Sequence, residues 1–257
     1  MRTSHLQDFE KKGYAVVEAG NRAPLENIRK LIYQQLIERT KTGSDHPDAA
    51  LNTVHTMGMT GSEFNDFRLG MIRHVNEKID AGQMIFEAFR APLVCLLGED
   101  ILIQKGTNLT IQQPGDPDKS DPHRDAPPNS LYELVVWVPL VDCYGTKGMY
   151  VLDRENTQKA MQVLDGSRGS YDRFEHFCEE SSDTLRVPFG HALIFWAGLV
   201  HGARINQEQE TRWTINIRFK SLFSPNGLKE PFQFFKIMQL SPLTRMALEN
   251  QKRQVLQ

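Results

Sequence analysis

The sequence is short of cysteine, of net charge and of long apolar runs, and each shortage removes a class of function. Its 257 residues include only three cysteines, Cys95, Cys143 and Cys178, and no two of them form a CxxC pair. Neither a disulfide framework nor a zinc–thiolate site is expected, and all three thiols are read as small buried hydrophobes. The formal charge of −2 lacks the basic excess with which a nucleic-acid binder meets phosphates. No apolar run reaches the roughly 18 residues needed to cross a bilayer. The opening MRTSHLQDFEKKGYAVVEAG is too polar for a signal peptide. The expectation is a cytoplasmic protein that acts on a small-molecule substrate, with no nucleic acid and no membrane as partner. Nothing in the pattern sets the oligomeric state, and there is no internal repeat or low-complexity tract.

What is present is an ordinary globular composition, 40% hydrophobic and 24% charged, in two textures. Up to residue 98 the pattern is mostly helical. Residues 4–11 read as a short helix capped by Ser4, Tyr14 to Val17 as a strand, and 24–40 as a helix with Pro24 in its first turn and Leu25, Ile28, Leu31, Ile32, Leu36 and Ile37 on one stripe. Residues 41–62 read as a long polar loop, and 63–98 as helical with a break near Pro92. After Gly98, short apolar or alternating runs follow at 101–104, 108–113, 131–141, 148–152, 184–188, 192–197 and 212–223. Turn clusters such as PGDPD, YGTKG and SPNG separate them. A polar, partly helical insert occupies 154–182. Many short strands with turns between them predict a β-sandwich or barrel. The simplest organisation is a single domain over 1–257, with a helical part over 1–98, a β core over about 99–223 and a helical or irregular tail over 224–257.

One stretch carries chemistry, DPHRDAPPN from Asp121 to Asn129. The letters H-R-D suggest a kinase catalytic loop, but the Asn that should follow the Asp by five positions follows by four, at Asn129. The Gly-rich phosphate loop, V-A-I-K, D-F-G and A-P-E are all missing. The other reading is H-x-D, in which side chains two apart on an extended segment point the same way and reach one metal. His123 and Asp125 then supply two donors, and a distant imidazole completes a facial triad with open positions opposite. A plain solvated turn stays open as an alternative. His201 is the candidate third donor, at the end of the apolar run Ala192 to Val200; a core histidine is the competing reading. Eleven residues beyond it, Arg212 opens the last strong strand and suits a two-point clamp on a carboxylate. Arg218 has the same side-chain parity and is a rival for that role.

These segments together resemble the phytanoyl-CoA dioxygenase-like branch of the iron(II)/2-oxoglutarate oxygenases. The resemblance lies in DFEKKGYAVVEAG, PHRDAP, LVVWVPLVDCYGTKGMYVLD and LIFWAGLVHGARINQEQETRW, in that order, and spans roughly residues 5–223. It implies a mainly β fold with flanking helices, a double-stranded β-helix or cupin-like jelly roll. It implies His123, Asp125 and His201 as the catalytic ligands of Fe(II), Arg212 as the clamp on 2-oxoglutarate, and Trp137 in the wall of the co-substrate pocket. Asn108, Thr110 and Gln112 alternate along one strand and are candidate co-substrate contacts. The activity implied is that of a dioxygenase using O2 and 2-oxoglutarate to hydroxylate an unactivated C–H bond, with desaturation and epimerisation as related outcomes. A looser likeness to oxygenases of bacterial carbohydrate-biosynthesis clusters points to a small polar metabolite such as a sugar or sugar-nucleotide. The chain departs from the family pattern at Ala203, where a Ser is common, and at His191, read as a turn residue. It departs again at Asp153-Arg154-Glu155, where the family has Gly-Ser-His, which argues against a long-chain acyl-CoA substrate. Two other classes compete, a cupin-like metal enzyme that does not use 2-oxoglutarate and a non-catalytic β-barrel binding module.

Overall fold

Most strands are buried on both faces, and the longest of them organises the rest. In this computed structural model, which describes residues 3–41, 44, 46–126, 130–166, 171–182, 184–228 and 230–255, the strands in chain order are β1 (Tyr14–Glu18), β2 (Ile101–Gln104), β3 (Asn108–Gln112), β4 (Glu133–Pro139), β5 (Met149–Val151), β6 (His191–Trp196), β7 (His201–Ala203), β8 (Arg212–Ser221) and β9 (Phe235–Gln239). The larger sheet runs β1-β6-β4-β8-β2-β9, with β3 on the same edge of β8 as β2, and its pairings are antiparallel. A smaller sheet pairs β5 with β7.

Each face of the larger sheet has its own core. Trp213, Ile215, Ile217 and Phe219 of β8 point one way, with Leu134, Val136 and Val138 of β4, and meet the helices. These are α1 (Thr3–Lys12), α2 (Ala23–Thr40), α3 (Pro47–Asn52), α4 (Gly61–Lys78) and α5 (Ala81–Leu97), of which α2 contributes the fully buried Leu25, Ile28, Ile32 and Leu36. Burying each such side chain contributes about 1.5–3 kcal/mol. On the other face Val135, Trp137, Leu193 and Phe195 pack against Met149 and Val151 of the smaller sheet. The insert forms α6 (Arg154–Gly166) and α7 (Tyr171–Glu180), which cover Tyr150, Leu152 and Val200 with Ala160, Phe174 and Cys178.

Several expectations need correction. The fold is mixed α/β rather than mainly β, because more residues lie in helices than in strands. Within 41–62, the segment expected as a loop holds α3 and a 3-10 helix, Val54–Met57. The cause is anchorage: Leu51 and Val54 are fully buried, and the Leu51 carbonyl accepts from Trp213 Nε1 at 2.8 Å. The break near Pro92 lies at Phe89, with φ −118° and ψ 22°. Proline cannot donate to the carbonyl four residues back; that carbonyl, on Ala88, accepts instead from Gly20 N at 2.9 Å and ties α5 to the end of β1. Residues 184–188 make only isolated bridges at Thr184 and Val187. His191 opens β6 opposite Glu18, and the turn falls on Gly190 at φ +91°. The tail read as helical or irregular contains β9, which extends the sheet beside β2, between the short α8 (Pro231–Phe234) and α9 (Pro242–Val255). Cys143 and Cys178 are buried as expected, but Cys95 is exposed. No helix among the described residues is long and apolar enough to cross a membrane.

Candidate metal centre

The face of β8 turned toward the smaller sheet is polar along its whole length, with Arg212, Thr214, Asn216, Arg218 and Lys220 at alternate positions. All but Asn216 are buried. Such a row inside a protein requires partners, since an unpaired buried charge is costly. Arg218 finds its partner in Asp125, in the segment that holds His123, and Lys220 in the Pro225 carbonyl and Asn226 Oδ1.

His123 and His201 form an antiparallel bridge, each backbone N–H donating to the other's carbonyl at 2.9 Å. The bridge sets the two imidazoles side by side, with ring centroids 4.3 Å apart. Asp125 follows two residues after His123, and its Oδ2 lies 3.9 Å from His201 Nε2. One donor atom from each of the three residues lies within 4.8 Å of the others, so the structure brings together the three predicted ligands.

Both imidazoles are oriented through their inner nitrogens. His123 Nδ1 is 2.7 Å from the Asp121 carbonyl and His201 Nδ1 is 3.0 Å from the Leu199 carbonyl. A carbonyl only accepts, so each Nδ1 carries the proton and each Nε2 keeps a lone pair, the tautomer of a metal-binding histidine. Burial pushes the His201 imidazole well below its usual range, to about 4, against the opposing pull of Asp125; His123 and Arg218 add to the lowering. His201 is therefore neutral near pH 7. Two imidazoles and one carboxylate suit a divalent first-row metal.

A cavity of about 220 Å³ opens beside the pair. His123, His201 and Met149 line it from one side, and Arg212, Trp137 and Asn216 from the other. Asn108 and Thr110 also reach it, with Ala203 at its edge. Arg212 is only 4% exposed. Its Nη1 donates to the Gly148 carbonyl at 3.4 Å, its Nε has no hydrogen-bond partner, and no carboxylate pairs with it among the described residues. Burial lowers its pKa, with Cys143 and Asp116 opposing the shift only in part. Gln112 stands opposite Arg212 in the sheet, but its amide nitrogen is turned toward the Asp118 and Arg204 carbonyls, each at 3.4 Å, and it is not among the residues that line the cavity.

Arg218 is occupied elsewhere. Its Nη2 donates to Asp125 Oδ1 at 2.5 Å and its Nε to Oδ2 at 3.4 Å. The sequence reading passed over this pair, and also Asn216 and Glu133. Asn216 shares the parity of Arg212 on β8, which is the signal that could have found it; its Oδ1 is buried without a partner. Glu133 lies opposite Lys220 on β4, and burial raises its pKa.

No family model matches the chain, and no curated protein matches it. Solved structures do share its fold. One is ThoJ, a non-heme monooxygenase in a nickel complex, 18% identical with a TM-score of 0.53 over 91% of this chain and 83% of that one. Another is SnoK, a non-heme alpha-ketoglutarate-dependent carbocyclase from nogalamycin biosynthesis, 11% identical with a TM-score of 0.55 over 93% and 97%. A third is CytC3 with Fe(II) and alpha-ketoglutarate, 13% identical with a TM-score of 0.52 over 86% and 77%. The fold is thus one used by non-heme oxygenases and alpha-ketoglutarate-dependent enzymes.

Proposed function

We propose that the chain is an iron(II)- and 2-oxoglutarate-dependent dioxygenase that hydroxylates an unactivated C–H bond of a small polar metabolite. Its two facing sheets are read as a double-stranded β-helix, and the whole chain as one oxygenase domain. His123 Nε2, His201 Nε2 and an oxygen of Asp125 would hold the metal, and their tautomers and spacing fit it. Iron(II) with 2-oxoglutarate and O2 would supply the oxidising power, at the expense of decarboxylating the co-substrate to succinate. Arg212 would hold the far carboxylate of the keto acid through its planar fork, and Trp137 walls the cavity beside it.

The observation that carries this reading is the unpaired, buried guanidinium of Arg212 on the same 220 Å³ cavity as both imidazoles. A metal enzyme that does not use 2-oxoglutarate has no need of it, and a non-catalytic module has no need of the oriented imidazoles. Asn108 and Thr110 line the same cavity as Arg212 and would contact the co-substrate; a small polar substrate such as a sugar or sugar-nucleotide, rather than nucleic acid or a membrane, follows the looser likeness to oxygenases of carbohydrate-biosynthesis clusters. The carboxylate of Asp125 favours hydroxylation over halogenation, which uses a small residue at that ligand position.

The test is an anaerobic titration with iron(II) and 2-oxoglutarate. A weak visible charge-transfer band that needs both components is expected, followed by succinate release that a screen of hydroxylated metabolites stimulates. A protein that takes up iron but shows no band with 2-oxoglutarate belongs to the other metal enzymes, and one that takes up no iron is a binding module.

A further inference from the structure

Asp125 is the one member of the triad whose backbone lies outside a β bridge or strand; it sits in a bend after the H-x-D segment. Its backbone is held nearby by Ala126 N, which donates to the Ala197 carbonyl at 3.2 Å. A short carboxylate in a bend can offer either oxygen to a metal. Arg218 holds both oxygens, but unequally: Oδ1 takes the short bond from Nη2 at 2.5 Å, whereas Oδ2 takes only the long one from Nε at 3.4 Å and faces His201 Nε2 at 3.9 Å. We propose that Arg218 is a positioning residue for the metal centre, fixing the Asp125 carboxylate so that Oδ2 rather than Oδ1 is presented to the ion. The inference rests on the reading of the triad as an iron(II) site.

Arg218 suits this task because it is itself held. It lies on the central strand β8, opposite Val135 of β4, and is 9% exposed. Its guanidinium is 5.9 Å from the ring centroid of Phe234. Glu133, one pair further along the same face, is within electrostatic reach of it. Glu133 Oε1 accepts from Ser130 N at 2.7 Å, and Lys220, opposite Glu133, donates to Asn226 Oδ1 at 2.7 Å and to the Pro225 carbonyl at 3.1 Å. Asp125, Arg218, Glu133 and Lys220 therefore alternate in sign across a buried face, and a fork fixed in such a row transmits its orientation to the carboxylate. A lysine at 218 would keep the charge but lose the second donor, because an ammonium acts as a point charge. The same geometry divides the labour between the two arginines, with Arg218 serving the metal and Arg212 the keto acid.

The experiment compares wild type, Arg218→Lys and Arg212→Lys as full chains, each titrated anaerobically with iron(II) at saturating 2-oxoglutarate and then the reverse. Melting temperatures of the metal-free proteins control for folding. Arg218→Lys is expected to raise the iron(II) concentration at half-saturation about 10- to 100-fold and to shift the charge-transfer band, with the 2-oxoglutarate requirement unchanged once iron saturates. Arg212→Lys is expected to do the reverse. An Arg218→Lys protein that binds iron like wild type, or that loses 2-oxoglutarate affinity instead, overturns the inference while leaving the oxygenase reading intact. No band in wild type overturns that reading and the inference with it. Should Arg218→Lys not fold, an anaerobic crystal structure of wild type with iron(II) and 2-oxoglutarate decides: Arg218 on Oδ1 supports the inference, and Arg218 turned onto the keto acid refutes it.

Discussion

Replacing Arg212 with Met is predicted to move stability and function in opposite directions. The guanidinium is 4% exposed, with one long hydrogen bond at 3.4 Å and an Nε that has no partner. A buried charge without a carboxylate is a cost to the empty protein, and replacing a buried ion pair as a whole with well-packed apolar side chains is often neutral or stabilising by about 1–4 kcal/mol. The bond lost, at 3.4 Å, is too long to offset this. In a chain of this size each kcal/mol shifts the melting midpoint by about 2–4 °C, so the metal-free variant should melt no lower than wild type, and higher by about 2–4 °C for each kcal/mol gained. Binding of 2-oxoglutarate should suffer. Truncating one partner of a buried, hydrogen-bonded charge pair costs about 2–5 kcal/mol, which at about 1.4 kcal/mol per decade is a weakening of roughly 30-fold to a few thousand-fold. The assay is paired: thermal melting of the metal-free protein, and anaerobic titration of the iron-loaded protein with 2-oxoglutarate. A variant that melts earlier than wild type and still titrates like it would refute the reasoning, because Arg212 would then be a structural cation satisfied by the fold.

Asp125→Ala should abolish turnover and also destabilise the fold by about 3–5 kcal/mol, since it leaves Arg218 buried without its carboxylate; a urea melt reads this, and the double variant with Arg218→Met should recover stability but not iron binding. Gly202→Ala should loosen the metal centre, because an added Cβ would lie 2.6 Å from Tyr150 Oη and 2.9 Å from the Ser120 carbonyl, next to His201; weakened iron uptake with an intact circular-dichroism spectrum is expected. Burial pushes the thiols of Cys143 and Cys178 up to about 12, so neither forms thiolate in neutral or mildly alkaline solution, whereas Cys95 is exposed. Iodoacetamide at slightly alkaline pH should therefore label Cys95 alone in the native protein, and mass spectrometry showing Cys143 labelled before unfolding would contradict the structure.

Where the chain obeys one period over many residues, the fold was legible. The helix α2 carries Leu25, Ile28, Ile32 and Leu36 on one stripe, the strands β4 and β6 carry dense apolar runs, and β8 alternates apolar with polar residues. Composition misled where a tertiary contact overrides a local pattern. The segment 41–62 looks like a loop because it is polar and holds Gly, Ser and Thr, but the buried Ala50, Leu51 and Val54 and hydrogen bonds from Thr211 N and Trp213 Nε1 to the Asn52 and Leu51 carbonyls fold part of it onto β8. The opposite happened at 184–188, where an apolar pattern produced bridges only, since Pro188 removes a donor and Gly190 turns the chain at φ +91°. The strand β9 went unread because its outer residues are exposed at the sheet edge, so it shows no buried alternation.

The two arginines show what parity can and cannot settle. Arg212 and Arg218 share a face, and from sequence alone either could meet a carboxylate in the cavity. Six residues of extended chain separate them by about 20 Å at roughly 3.4 Å per residue, so they cannot serve the same group. Which of them would meet the keto acid, on the reading proposed above, depends on where the bridge of His123 to His201 brings the imidazoles and Asp125 relative to the two arginines, and that is a long-range register no local pattern encodes. The crossing leaves Arg212 on the cavity wall and brings Asp125 over Arg218. Two charges that look equivalent in the sequence thereby end differently, one without a carboxylate partner on the cavity wall and the other bonded to a protein carboxylate.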